Sequence, residues 1–253
     1  MRPAPALRTI PAEAMAVAPT PARPRPGRHG SVWMLVLPAF LLGALAVALL
    51  YRFDVFSSST SVGSGVAATQ TRHLPPFDRV ELAGSNNLVV RVGRKQSVVV
   101  RADEDLLDHV TTSVRSGSLV VADTPGSYAT KSPMSVEITL PALVALTLSG
   151  SGNIDVSGAN ARSLEVTLSG SGTLSGSGRA TRLDVTVGGS GSVQFARIVA
   201  QQVRAVVSGS GSIFVTATES LDASVPGTGT VVYSGSPPHV TKSVTGTGVV
   251  VGG

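Results

Sequence analysis

Between Gly150 and Gly248 the triplet Gly-Ser-Gly or Gly-Thr-Gly forms one evenly spaced series of six, at Gly150-Ser151-Gly152, Gly170-Ser171-Gly172, Gly189-Ser190-Gly191, Gly209-Ser210-Gly211, Gly227-Thr228-Gly229 and Gly246-Thr247-Gly248, with one copy out of register at Gly176-Ser177-Gly178. The intervals are 20, 19, 20, 18 and 19 residues. A fixed period of this length is the mark of a solenoid in which each repeat stacks on the last. A glycine-serine linker would show the same triplets, so the flanking columns decide. Two residues before each first glycine stand Leu148, Leu168, Val187, Val207, Val225 and Val244. Six before it stand Val144, Leu164, Leu183, Val203, Leu221 and Val240, and four after it Ile154, Leu174, Val193, Ile213, Val231 and Val250. Every one of these positions is aliphatic, a register that no flexible linker keeps.

Within a repeat, apolar residues alternate with Ser, Thr or charged ones, as in Leu164-Glu165-Val166-Thr167-Leu168. A period of two means a strand with one buried face. Strand, glycine corner and second strand, repeated every 19 residues or so, describe one coil of a parallel β-helix. The expected fold is therefore all-β, with about six coils over residues 144–253. The twelve corner glycines are assigned to sites of positive φ or of close approach between backbones. Five residues before each triplet lies an outward column whose charged members are Glu165, Asp184, Arg204 and Asp222. Stacking would let Arg204 pair with Asp184 and Asp222, although exposed pairs contribute little.

Residues 73–143 are β-rich but less regular, with strands expected around Val98-Val99-Val100, Ser118–Val121 and Met134–Leu140 and a short helical turn over Ala102–Val110. Phe77–Val90 reads as a diverged repeat centred on Gly84, and the module is expected to cap the first coil.

Residues 31–52 contain the run Val32–Tyr51, twenty residues without a charge. As a helix it would be about 30 Å long, the thickness of a bilayer's hydrocarbon core, with Trp33 and Tyr51 at its two ends. Five arginines precede it, which predicts a cytoplasmic N-terminus and an outside location for everything after it. An uncleaved single-pass anchor in the inner (cytoplasmic) membrane is expected; cleavage near Ala46-Val47-Ala48 is the alternative. Residues 1–30, with seven prolines, are expected to be a disordered cytoplasmic tail, and residues 53–72 a flexible tether.

The pI near 10 invites a nucleic-acid reading, but the charge is unevenly placed. Residues 1–56 carry six Arg against Glu13 and Asp54, leaving 14 Lys and Arg against 13 Asp and Glu in the rest. A nearly neutral body has no electrostatic footprint for DNA or RNA. The absence of cysteine excludes disulfides, thiolate metal sites, a cysteine nucleophile and a lipoprotein anchor.

The segments quoted above, FDRVELAGSNNLVVRVG, VVVRADEDLLDHV, VEITLPAL and LSGSGNIDVSG in that order, resemble the bacterial GIN domain, described as the head domain of autotransporter adhesins. The resemblance runs from about Leu74 to Gly253. It implies a β-rich N-terminal module followed by a right-handed parallel β-helix, and no established chemistry. A full autotransporter would add a translocating barrel, and no such segment is expected after Gly253.

No catalytic, metal or cofactor site is expected. His29, His73, His109 and His239 lack ligand spacing. The Gly-Ser-Gly serines lack the following helix and the partners of a nucleophile elbow. The stretch Gly150–Asp155 comes nearest to a calcium-binding β-roll, but the other repeats place no carboxylate ladder there. The expected function is a non-enzymatic adhesion or binding module of the envelope, taking glycan or protein on its Ser/Thr faces. The alternatives are an envelope protein that oligomerises through its C-terminal coil, and a carbohydrate-active enzyme using the charged column.

Overall fold

The computed structural model describes residues 60–252. The expected tail, membrane helix and first part of the tether lie outside these residues. Among the described residues no helix is long and apolar enough to cross a membrane.

Strands β1 (Ser61–Val62), β2 (Ala67–Arg72), β3 (Arg79–Leu82), β4 (Asn87–Val92) and β5 (Ser97–Asp103) precede a 3-10 helix at Glu104–His109. Strands β6 (Val110–Arg115), β7 (Ser118–Asp123), β8 (Tyr128–Ala129), β9 (Ser135–Leu140) and β10 (Ala145–Leu148) follow. The repeats form β11 (Asn153–Leu168), β12 (Thr173–Val187), β13 (Ser192–Val207), β14 (Ser212–Val225), β15 (Thr230–Ser234), β16 (His239–Val244) and β17 (Val249–Gly252).

Each of β11 to β14 pairs in parallel with the next over nearly its whole length. The N-terminal and C-terminal halves of each are separated by a bulged crossing, where the register with the next strand shifts. The aliphatic columns stack as the sequence requires: Leu148, Leu168, Val187, Val207 and Val225 are all fully buried, as are Leu174, Val193, Ile213 and Val231. Six triplets enclose about five turns rather than six coils, because the chain beyond the last triplet supplies only β17. Nothing among the described residues stacks on that final rung, so Val240 and Val244 are 39% and 44% exposed.

The solenoid does not begin at residue 144. Strands β3 and β4 pair in parallel with β10 and β11, so the diverged repeat at Gly84 is a rung like the others. Below it lies a rung that comes later in the chain: β7 pairs with β3 and β9 with β4. The edges are closed by antiparallel strands, β6 on β7 and β5 on β9, with β2 on β5. This is the expected cap.

The flexible tether proposed for residues 53–72 is therefore corrected over its C-terminal part. Ala67–Arg72 pairs with Val98–Asp103 as an edge strand, and Arg72 Nη2 donates to the Leu107 carbonyl at 3.1 Å. The segment lacks an apolar alternation because its order comes from backbone hydrogen bonds on a sheet edge, not from core packing.

Buried Asp103 ties the cap together. Its carboxylate accepts the Lys131 and Ser132 N–H groups at 2.8 and 3.0 Å and lies against Gly63, where a Cβ would overlap it. The hydrogen bond from the Ser132 hydroxyl, with that from the Lys131 N–H, holds this carboxyl below the usual carboxylate range.

Candidate functional site

All twelve corner glycines sit where a Cβ would come within 3.0 Å of the backbone of the rung below. Gly170 would meet the Gly150 carbonyl, Gly189 that of Gly170, and Gly172 that of Gly152. None of the twelve has positive φ, so of the two reasons given for these glycines, close approach is the one that operates. The corners are themselves hydrogen-bonded: Thr228 N–H donates to the Gly209 carbonyl at 3.0 Å and Thr230 N–H to Gly211 at 3.0 Å. These glycines are structural.

The corner ladder ends differently at its two ends. Below Gly84, Asp123 stands where the next glycine would be. Its carboxylate accepts the Ser85 N–H at 2.9 Å and a short hydrogen bond from Asn86 Nδ2. An anion at the end toward which the N–H groups point acts much as an N-cap does on a helix. Burial first, and then the Asp123 carboxylate, pushes the nearby Tyr128 hydroxyl up to about 12.

The charged column keeps its register, Glu165 beside Asp184 beside Arg204 beside Asp222. Its chemistry differs from expectation. Asp184 pairs with Arg182 at 2.9 Å, and no ion pair joins Arg204 to either aspartate among the described residues. Arg182 lies two residues before Asp184 on one strand, so both side chains leave the same face. The hydrogen bond to Asp184 raises the Arg182 guanidinium further above its ordinary value. Asp184, Arg204 and Asp222 share a shallow hollow of about 190 Å³ with Arg182, whereas Glu165 faces a different hollow.

Asp155 accepts the Ser175 hydroxyl at 2.6 Å and Asn153 donates to Asn87 at 2.9 Å, so both bond across rungs. His109 Nδ1 lies 2.8 Å from the Thr124 hydroxyl, and His73 and His239 are exposed. Among the described residues no group of three or more His, Asp or Glu is placed to hold a metal ion.

Two hollows that sequence reasoning missed lie beside the crossings between the strand halves, around Asn160 and Ala161. One, of about 430 Å³, is lined by Arg79, Arg162 and Glu165 among others. The second, also of about 430 Å³, is lined by Arg179, Val199, Gln201 and Thr218, and both include Asn160 and Ala161. Only the stacking of rungs brings these residues together, and no local motif marks them.

The outward positions of the coils carry hydroxyls in register. Thr147 stacks on Thr167 and Thr186, and Thr173 on Ser192, Ser212 and Thr230.

Solved structures share this fold. A "putative adhesin" from Bacteroides fragilis is 21% identical, with a TM-score of 0.64 over 76% of this chain and 99% of that one. A "putative lipid binding protein" from Parabacteroides distasonis is 20% identical, with a TM-score of 0.50 over 77% of this chain and all of that one. At such identities the likeness is one of fold. No curated protein matches the chain. The family described as "Putative auto-transporter adhesin, head GIN domain" matches residues 76–237, from the first solenoid rungs almost to the last. The chain belongs to this GIN domain family.

Proposed function

We propose that this protein is a single-pass envelope protein, anchored in the cytoplasmic membrane through residues 31–52, that holds its GIN solenoid outside as a non-enzymatic binding module. The observation that carries the reading is the register of hydroxyl columns on the outward faces. Rungs about 4.8 Å apart present the same group repeatedly to a partner, which suits many weak polar contacts with a glycan or an envelope protein. The adhesin description of the family agrees with this. Full-length protein in detergent, probed on a glycan array, is expected to bind a defined subset of saccharides. Uniform silence across the array and no binding to envelope surface polymers would contradict the reading. For the anchor, alkaline phosphatase fused after Gly253 is expected to be active, and β-galactosidase at the same site inactive.

A second reading, association of two copies through the final rung, is favoured by the exposed Val240, Val244, Val249 and Val251. Light scattering on the full chain is then expected to show a dimer that Val244→Lys with Val249→Lys dissolves; a concentration-independent monomer would rule it out. An enzyme built on the charged column is the least supported reading. Under the binding-module reading, Glu165→Gln with Asp184→Asn leaves polysaccharide turnover unchanged.

A further inference from the structure

We infer that the two 430 Å³ hollows form one groove that binds an anionic polysaccharide, carboxylated or sulfated, laid across the rungs. This rests on the binding-module reading and names its ligand class. The hollows are contiguous because Asn160 and Ala161 line both. Asn160 is the register partner of Arg179, and Arg179 of Val199, so the groove advances rung by rung along the solenoid.

The floor is apolar. Ala161 stacks on Ala180, which is 6% exposed, and beside them Val199 is 44% exposed on an otherwise polar face. The rim is cationic: Arg79, Arg162 and Arg179 are exposed, and Glu165 is the one carboxylate lining either hollow. Among the described residues Arg162 and Arg179 make no ion pair, and Arg79 approaches only Asp78, at 3.7 Å with both side chains more than half exposed. The Arg162 and Arg179 guanidinium forks are thus free for carboxylate or sulfate oxygens, which they can hold in pairs of parallel hydrogen bonds, and Arg79 is held only by its exposed contact with Asp78. The small apolar floor suits the C–H faces of sugar rings, and Asn160, Gln201 and Thr218 supply hydrogen bonds to hydroxyls.

Other polyanions fit less well. Asn160 pairs in register with Arg179 and Arg179 with Val199, so this part of the groove offers an acidic peptide no free strand edge to extend. None of the lining residues is aromatic, so nucleic-acid bases have no stacking platform.

The test uses full-length protein in detergent with four polymers: polygalacturonate, dextran sulfate, neutral dextran and oligothymidylate. Binding is expected to one or both anionic polysaccharides and not to dextran, and the stronger of the two identifies the anion. Arg162→Gln with Arg179→Gln is expected to weaken binding about ten-fold or more at fixed salt. Arg91→Gln with Arg101→Gln removes the same charge beside Glu137 on another face and is expected to change it by less than about two-fold. Because both variants keep the arginine-rich N-terminal segment, its contribution cancels in the comparison. Equal losses in the two variants, equal binding of dextran, or tighter binding of oligothymidylate than of either acidic polymer would each overturn the groove. If array binding to some glycan persists undiminished in Arg162→Gln/Arg179→Gln, the groove falls while the binding-module reading stands. If no polymer or glycan binds at all, both fall.

Discussion

The two ends of the solenoid are built from the same rungs and finished in opposite ways. At the β7–β9 end the ladder of corner amides runs into the Asp123 carboxylate, and antiparallel strands β2, β5 and β6 cover the sheet edges. At the β16–β17 end the columns continue in register with nothing among the described residues stacked on them, and the valines that are buried elsewhere stand partly open. The inward register is set by the repeat, but burial is set by having a neighbour on both sides. An aliphatic column is therefore worth its full hydrophobic contribution only in the middle of the stack.

The largest expected contrast lies within one corner. Gly189→Ala drives a Cβ into the Gly170 carbonyl, and the rungs must separate to admit it. A loss of at least about 3 kcal/mol is expected in urea unfolding. Its neighbour Gly188 faces only the Ser208 hydroxyl at 3.8 Å, so Gly188→Ala is expected to stay within about 0.5 kcal/mol of the parent. Similar losses at both positions would show that the corner is not held by backbone contact.

Next in size is the comparison between the middle and the end of one column. Leu168→Ala, at a fully buried site, is expected to cost about 2–5 kcal/mol, and Val244→Ala less than about 1 kcal/mol. A large loss at Val244 in dilute protein would mean that the final rung is covered in solution, as the dimer reading requires.

At the closed end, Asp123→Ala removes an acceptor from the Ser85 N–H and the Asn86 amide. About 1–3 kcal/mol is expected, with Asp123→Asn recovering part of it. Hydrogen exchange at Ser85 should rise in step.

The smallest effect is the pH response of the same cap. Asp103 has a folded pKa below its ordinary value, so its contribution is fully present above the unfolded pKa and is lost as pH falls through the folded one. The urea midpoint should fall on the acid side, and Asp103→Asn should flatten that fall. An unchanged acid limb in the variant would place the responsible group elsewhere.

The regular coils were legible because each corner must be small for one physical reason repeated six times, and because Leu, Val and Ile hold three columns without exception. The diverged rung at Gly84 was legible by the same rule. The rung beneath it was not: β7 and β9 have no glycine triplet, since Asp123 stands at that corner, and they follow β3 and β4 in the chain while lying below them in space. Strand β2 was hidden because Ala67–Arg72 shows no hydrophobic alternation. At the charged column the register was foreseen but not the partner, because Asp184 takes Arg182 from its own strand in preference to a residue one rung away. The arginine groove had no local signature, since Arg79, Arg162 and Arg179 are far apart in sequence and meet only through stacking.

Successive repeats stack in parallel with like columns adjacent. The chain has no cysteine, so pairs of cysteines can be introduced on a clean background. Thr167 and Thr186 are outward register partners on adjacent rungs, while Ser224 lies two rungs beyond Thr186 in the same column. Adjacent parallel strands are about 4.8 Å apart, within the span a disulfide bridges, and three rungs are not. Under mild oxidation Thr167→Cys/Thr186→Cys is expected to close an intramolecular disulfide, and Thr167→Cys/Ser224→Cys to remain reduced. Closure of the distant pair with failure of the adjacent one would contradict the stacked-coil account.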